Sequence, residues 1–507
     1  MRTPHPYHLT GYSLVAFAEG VTMARVVILG AGVAGHTAAS FAKSWLGKEH
    51  DVVVVSPNSY YNWIPSNIWV GVGRMAPEKV ITELRPIYDK VGVDFRQAKA
   101  TALHPEGDAS EGRPYVDVEY TEPAKAGVQE RIPYDFLINA TGPKLNFGAT
   151  EGLGPEKNSQ SVCTYRHAKQ AADALAESIE RMRRGERQRF LIGTGHGMCT
   201  CQGAAFEYLF NLEHELRLQG VRDQAELHWL SNEYEVGDFG MGGIHIRRGG
   251  YISHSKNFTE SLMAERGVHW HLRAHTKAVE PGVVHYETLD GTEHEMPFDF
   301  AMLIPPFAGV GLKAFDHKGE EITNRVFNPA GFMLVDGDYT PRPYEEWSAR
   351  DWPRTYQSPL YPNIYAAGIA FAPPHGMSKP MKSPNGTPIF PTPPRTGMPS
   401  AMIAKAVTAS IVDSINHGVT EATHTASMAE MGAACVASAG CGGLCGTAAS
   451  MTVFPIVPDF ERYPRYGRDT DLTFAEIGLA GHWIKYVLHL MFLYKARLRP
   501  GWRLIPE

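Results

Sequence analysis

Six cysteines carry most of the chemistry open to this sequence. Cys163 stands by itself, Cys199 and Cys201 share a Cys-x-Cys step, and Cys435, Cys441 and Cys445 cluster among glycines. Thiols so placed can open disulfides, carry sulfur or bind metal, because the thiolate is both the nucleophile and the ligand. Cys-x-Cys and Cys-x3-Cys do not match a zinc-ribbon spacing, so no metal is expected. Six cysteines in 507 residues are also too few for a disulfide scaffold. The competing reading is small buried hydrophobes. His196 lies in a glycine-rich turn with Cys199 and Cys201, and a turn or core histidine is favoured there over a catalytic one.

The elements that must position these thiols are legible as two glycine turns. Arg25-Val-Val-Ile-Leu-Gly30 predicts a buried parallel strand feeding Gly30-Ala-Gly32-Val-Ala-Gly35, a helix to about Trp45 and a second strand, Asp51 to Ser56. Gly30 suits the tight turn, Gly32 close approach of backbone to a pyrophosphate, and Gly35 helix–strand packing. The helix N-terminus would add N–H donors for phosphate. Ser56 stands where an acid normally holds the ribose. A second unit opens at Arg189 and turns through Gly193-Thr-Gly195-His-Gly197, with Met198 at the third glycine position and cysteines following. That turn predicts an inherited scaffold with little affinity for NAD(P)H. Asp135 to Gly142 predicts a strand ending in Ala-Thr141-Gly142, and Asn363 to Gly368 another; both suit a flavoprotein with two dinucleotide folds. A Pro-rich stretch, Pro373 to Pro399, reads as a substrate or quinone lip, with Gly397 opening a helix from about Met398 to Asn416.

Composition bounds the partners. A net charge of −6 with a sequence pI near 6.4 gives no basic field, so nucleic acid is not expected. The stretch before Met23 lacks the pattern of a secretory signal, and no window of about 20 apolar residues predicts a transmembrane helix. Near the C-terminus, Ile477, Ile484, Val487, Leu488 and Met491 recur at helical spacing. Trp483, Phe492 and Tyr494 suit a headgroup boundary, and Lys495, Arg497 and Arg499 follow. Glu476, Lys485 and His489 interrupt the run, so an in-plane amphipathic anchor is expected, with a core or dimer helix as the alternative.

With these motifs in hand the chain resembles the sulfide:quinone oxidoreductases and, close to them, the flavoprotein subunits of flavocytochrome c sulfide dehydrogenases. The resemblance rests on Ile64-Pro-Ser-Asn-Ile-Trp-Val70, Ala140-Thr-Gly-Pro-Lys-Leu145, Ser161-Val-Cys163, the Arg-Thr-Gly around Thr396, and Cys435-Val-Ala-Ser-Ala-Gly440. It implies an α/β fold with two Rossmann-like domains and a membrane-anchoring C-terminal region. Expected boundaries are an extension over 1–23, FAD-binding parts over 24–160 and 301–416, a second Rossmann-like domain over 161–300, and a redox-cysteine and membrane region over 417–507.

The implied redox pair is Cys163 and Cys435: hydrosulfide opens a bridge between them, and two electrons pass through the flavin to a quinone. Implied FAD contacts are Gly30, Gly32, Gly35, Ser56, Ala100, Thr141, Gly142, Gly368 and Gly397. No cysteine precedes Cys163, so FAD held without a covalent bond is expected. The roles of Cys199, Cys201, Cys441 and Cys445 stay open. The implied enzyme sits on the cell membrane as a peripheral, monotopic protein, with sulfide and quinone as substrates and room for a homo-oligomer. A flavocytochrome subunit and a type II NADH:quinone oxidoreductase are the alternatives.

Overall fold

The structure is a computed structural model that describes residues 23–440 and 446–507. Most of the N-terminal extension, and the expectations placed on Cys441 and Cys445, lie outside the described residues.

The β-branched run Arg25–Leu29 forms β1, the helix Val33–Leu46 is α1, and Asp51–Val55 is β2. Asp94–Arg96 makes β3, and the antiparallel strands Ala98–His104, Tyr115–Tyr120 and Gln129–Pro133 are β4, β5 and β6. Phe136–Asn139 is β7. The chain then leaves through helix α2, Tyr165–Arg183, and builds a second unit: β8 Gln188–Thr194, α3 Gln202–Leu218, β9 Ala225–Leu230, β10 Val268–His271 and β11 Phe300–Ile304. It returns as β12, Ile364–Ala366, and the long helix α4, Gly397–His417. The C-terminal part is an antiparallel sheet of β13 Ala433–Ala439, β14 Thr447–Val453 and β15 Ala475–Gly478, closed by helix α5, Leu479–Ala496.

Two parallel sheets form the frame. The first has the order β12-β7-β1-β2-β3, the second β10-β9-β8-β11. Their central strands are buried on both faces, which is why they read as near-continuous Val, Ile and Leu runs. In the first sheet Leu29 pairs with Val55 on one side and Asn139 on the other, so the turns after β1 and β7 open at the same carboxyl edge. Ligands of open parallel sheets bind at that edge. One large apolar core runs from β1 through α3 to α5, so the C-terminal helix belongs to the body of the protein.

The C-terminus departs from the expected anchor in detail. Residues Ala475–Gly478, Ile477 among them, form a strand, and the helix begins at Leu479. Lys485 and His489, read as interruptions of a membrane face, lie buried on the inner face, and so does Phe492, stacked on Trp63 at 4.4 Å. Lys495, expected on a basic lipid-facing flank, is buried in an ion pair with Glu507. What faces outward is Ile484, Val487 and Leu490, each about half exposed at 52%, 48% and 51%. Among the described residues no helix is long and apolar enough to cross a membrane.

Candidate active site

At the first turn, each glycine of the motif has a different reason to be there. Gly30 sits at φ +99, and a Cβ on it would come within 2.2 Å of the Ala140 carbonyl oxygen. One at Gly35 would strike the Gly30 carbonyl oxygen at 2.0 Å. Gly32 is not packed in this way: a Cβ there would meet nothing within 4 Å, and Gly32 is the N-cap of α1 with no side chain capping it. The backbone of a helix N-terminus is thus left bare at the carboxyl edge of the sheet, a cradle that phosphates fit and a side chain would fill.

Around it gather the other expected cofactor residues. Asn139 Oδ1 accepts from the Thr141 amide (3.3 Å) and hydroxyl (2.8 Å), fixing the turn in which Gly142 adopts φ +70. Gly142 and Gly397, like Gly32, have nothing within 4 Å of a built Cβ. Gly368 (φ +69) approaches so closely that a Cβ would lie 2.7 Å from that of Ala34. Ser56 is buried at the end of β2, and its hydroxyl accepts from the Asn58 amide at 3.3 Å. Ala100 lies partly buried in β4, beside the bulge that shifts its register. These residues fit a dinucleotide laid from the α1 N-terminus toward α4.

The second turn does not. Helix α3 starts only at Gln202, and the turn before it is covered by the chain's own Pro-rich segment. A Cβ at Gly197 would lie 2.4 Å from the Pro388 carbonyl oxygen. The Phe390 amide donates to Gly197 O (2.9 Å), the Thr392 amide to Cys199 O (2.9 Å), and the Thr200 hydroxyl to Pro393 O (2.8 Å). The segment read as a lip therefore packs on the surface where a nicotinamide dinucleotide would bind. His196 serves its own turn: Nδ1 accepts from the Met198 amide at 3.0 Å, and burial, with His275 beside it, holds the ring neutral with a pKa near 4.

In place of that ligand the turn presents sulfur. Cys199 is buried and donates to Ile304 O at 3.2 Å. Cys201 caps α3 in the left-handed region at φ 66, a strained conformation for a residue other than glycine. Burial raises its thiol, and the nearby Arg395 opposes that shift. The Arg395 guanidinium is partly buried and donates to Ile369 O and Phe371 O, both at 3.1 Å, which holds the loop after Gly368. Cys163 precedes α2, its amide donating to Ser161 Oγ at 3.2 Å. Its neighbour Val162 packs over Gly71 beside the ring of Tyr208 of α3. Cys435, on β13, places Sγ 3.2 Å from where a Cβ on Gly203 would be.

The structure thus gathers Cys163, Cys199, Cys201 and Cys435 about one end of α3, all as thiols. Burial is the first cause that pushes every one of them up: Cys163 to about 12, Cys435 to about 11, Cys199 and Cys201 in the same direction. Ionised Cys201 would further raise each of the other three, which marks it as their common neighbour. Sequence reasoning left Cys201 open. The signal available was the Cys-x-Cys step at the point where a nucleotide-binding turn should have kept glycine. Among the described residues no group of three or more His, Cys, Asp or Glu is arranged to hold a metal.

Comparison with known proteins agrees with this architecture. The model of the pyridine nucleotide-disulphide oxidoreductase family matches residues 24–214. The sulfide-quinone reductase of Aquifex aeolicus (strain VF5) is 29% identical over 472 residues, 93% of this chain and 91% of that one. The solved structure of the sulfide:quinone oxidoreductase from Aquifex aeolicus superposes with a TM-score of 0.70 at 27% identity, covering 94% of this chain and 91% of that one. NDH2 from Plasmodium falciparum shares the fold with a TM-score of 0.61 at 12% identity, over 94% and 96% of the two chains. The resemblance read from the sequence motifs is borne out, and it extends over nearly the whole chain.

Proposed function

We propose that this chain oxidises sulfide with bound FAD and delivers the electrons to a quinone at a membrane surface. The single observation that carries the reading is the gathering of Cys163 and Cys435 about a helix end whose nicotinamide turn is covered by the chain itself. The extended likeness to a sulfide-quinone reductase supports the same substrates.

The net reaction is HS⁻ + H⁺ + quinone → S⁰ + quinol. FAD, when bound, accepts two electrons from sulfur and returns them to the quinone. Gly32 and the α1 N-terminus would hold its pyrophosphate, Ser56 the ribose end, and Thr141, Gly142, Gly368 and Gly397 the remainder. The proposal includes FAD held without a covalent bond, since no cysteine stands before Cys163 to tether it.

Reduced, the two residues are thiols, because burial disfavours their charge. The form that meets sulfide is the oxidised one, in which the pair has given up two electrons and two protons, an oxidation a bound FAD would supply, and closed as a Cys163–Cys435 bridge. Hydrosulfide is then the nucleophile: it opens the Cys163–Cys435 bridge, leaving one sulfur as a persulfide and the other as a thiolate. A thiolate in so dry a place is poorly solvated, which favours release of its electron pair. Cys199 is held by a carbonyl oxygen and supports the turn.

The outward row Ile484, Val487 and Leu490 of α5, with Ile477 and Phe474 beside it, is an apolar surface suited to the headgroup boundary from which a lipophilic quinone arrives. Full burial of such a side chain contributes about 1.5–3 kcal/mol. In proteoliposomes the wild type should reduce a long-tailed quinone with sulfide. Ile484→Glu/Val487→Glu/Leu490→Glu should stay folded and bleach with sulfide, yet lose lipid binding and quinone reduction by at least about a hundredfold. Full-rate quinone reduction by this variant would remove the membrane part of the reading.

A further inference from the structure

The buried face of α5 carries charge that sulfur–flavin chemistry has not so far used. Lys485 forms an ion pair with Glu207 of α3, and both side chains are only 9% exposed. Glu207 Oε1 also accepts from the Ser438 amide of β13 at 3.1 Å. The Ser438 hydroxyl meets His482 Nδ1 of α5 at 2.6 Å, and Lys485 Nζ stands 5.5 Å above the Trp69 ring. Cys435 lies next to this pair. It packs over Gly203, and Glu207 is four residues further along the same face of α3, about one helical turn away. Both charges of the pair act on the Cys435 thiol.

A buried ion pair is not needed to dock a helix: apolar residues of the same volume do so as well or better. This one sits against a thiol assigned a redox role, and its charges balance in two arrangements. With Cys435 as a thiol, carboxylate and ammonium cancel. With Cys435 as a thiolate and Glu207 as the acid, thiolate and ammonium cancel. Either way the dry site holds no net charge, which is the condition for forming a thiolate there at low cost.

We propose that Glu207 is the proton acceptor of the Cys435 thiol and Lys485 the counter-ion the two share. The S–H bond of Cys435 breaks, an O–H bond forms on Glu207, and the electron pair stays on sulfur. The electrostatics agree in sign: Glu207 raises the Cys435 thiol and Lys485 lowers it, while burial raises the Glu207 carboxyl above its usual range. The other titratable groups facing the pair are His482 and His489 of α5 and Cys201 at the cap of α3.

The inference rests on Cys435 being a redox thiol, as proposed above, but its test needs no sulfide turnover. Dithiothreitol-reduced holoprotein is alkylated briefly with iodoacetamide from pH 6 to 9, and labelling of Cys435 is read by peptide mass spectrometry. In the wild type the proton stays inside the site, so the rate is nearly flat with pH. In Glu207→Leu/Lys485→Met, whose apolar pair keeps α5 docked, Cys435 is an ordinary buried thiol and its rate climbs about tenfold per pH unit. Glu207→Gln, leaving Lys485 to Cys435 alone, should label faster than wild type at pH 7. A wild-type rate that climbs tenfold per unit, like the double variant, would overturn the proposal. A flat wild-type profile in protein whose flavin sulfide cannot bleach would instead uphold it and remove the sulfide reading.

Discussion

Four thiols crowd one end of α3, yet their surroundings differ enough to separate their roles. Cys199 is tied to the Ile304 carbonyl oxygen, whereas Cys163 comes from the segment before α2 and Cys435 packs over Gly203 from β13. Cys163→Ser and Cys435→Ser should each slow sulfide-driven flavin bleaching by about a thousandfold, and the double variant little further, since coupled groups do not add. Cys199→Ser should stay within about tenfold. Additive losses in stopped-flow rates would assign Cys163 and Cys435 to separate steps. The glycines make a second test at this scale. Gly30→Ala meets backbone at 2.2 Å and should destabilise the fold, while Gly32→Ala meets nothing within 4 Å and should leave the melting temperature of apoprotein unchanged but weaken FAD retention. Equal melting losses in both would contradict the division of labour. The two glycine turns and the Cys163 and Cys435 positions were readable because motif chemistry is local. Glu207 was not: its partner Lys485 is 278 residues away, and no spacing rule links them.

Among the elements, α5 is where reading and structure diverge most. Apolar residues at helical spacing were visible, but which side they covered depended on what the rest of the chain offered. Trp63 takes Phe492, Glu207 takes Lys485 and Glu507 takes Lys495, so the face rich in charge turns inward. Two histidines also hold α5 in place. His36 of α1 bonds the Ala496 carbonyl oxygen through Nε2 (2.9 Å), and His489 meets Ser66 Oγ at 2.8 Å. Burial lowers both rings from 6.5 to about 4. Their folded pKa values lie below the unfolded ones, so between pH 6.5 and 4 the unfolded chain binds more protons. Stability should therefore decline as pH falls through that window. His36→Gln/His489→Gln should flatten the slope of melting temperature against pH there; an unchanged slope would show that other groups set it. For the same reason deletion of α5 is a poor test of membrane binding, because it uncovers Glu207 and Trp63.

At the scale of the whole molecule, two parallel sheets place two glycine turns, and the chain has kept one for a cofactor while closing the other with Phe390 to Arg395. The sequence showed that the second turn was damaged; that the Pro-rich segment covers it could not be seen, since hydrogen bonds from Phe390 and Thr392 to residues almost 200 positions earlier leave no local mark. On the proposed reading, this closure is what keeps NADH from the flavin while sulfide reaches it. The most direct test is anaerobic stopped-flow mixing of the FAD-loaded protein with sulfide and, separately, with NADH, following flavin absorbance. Sulfide should bleach the flavin within the turnover time and NADH should not. Rapid bleaching by micromolar NADH, with none by sulfide, would contradict the assignment.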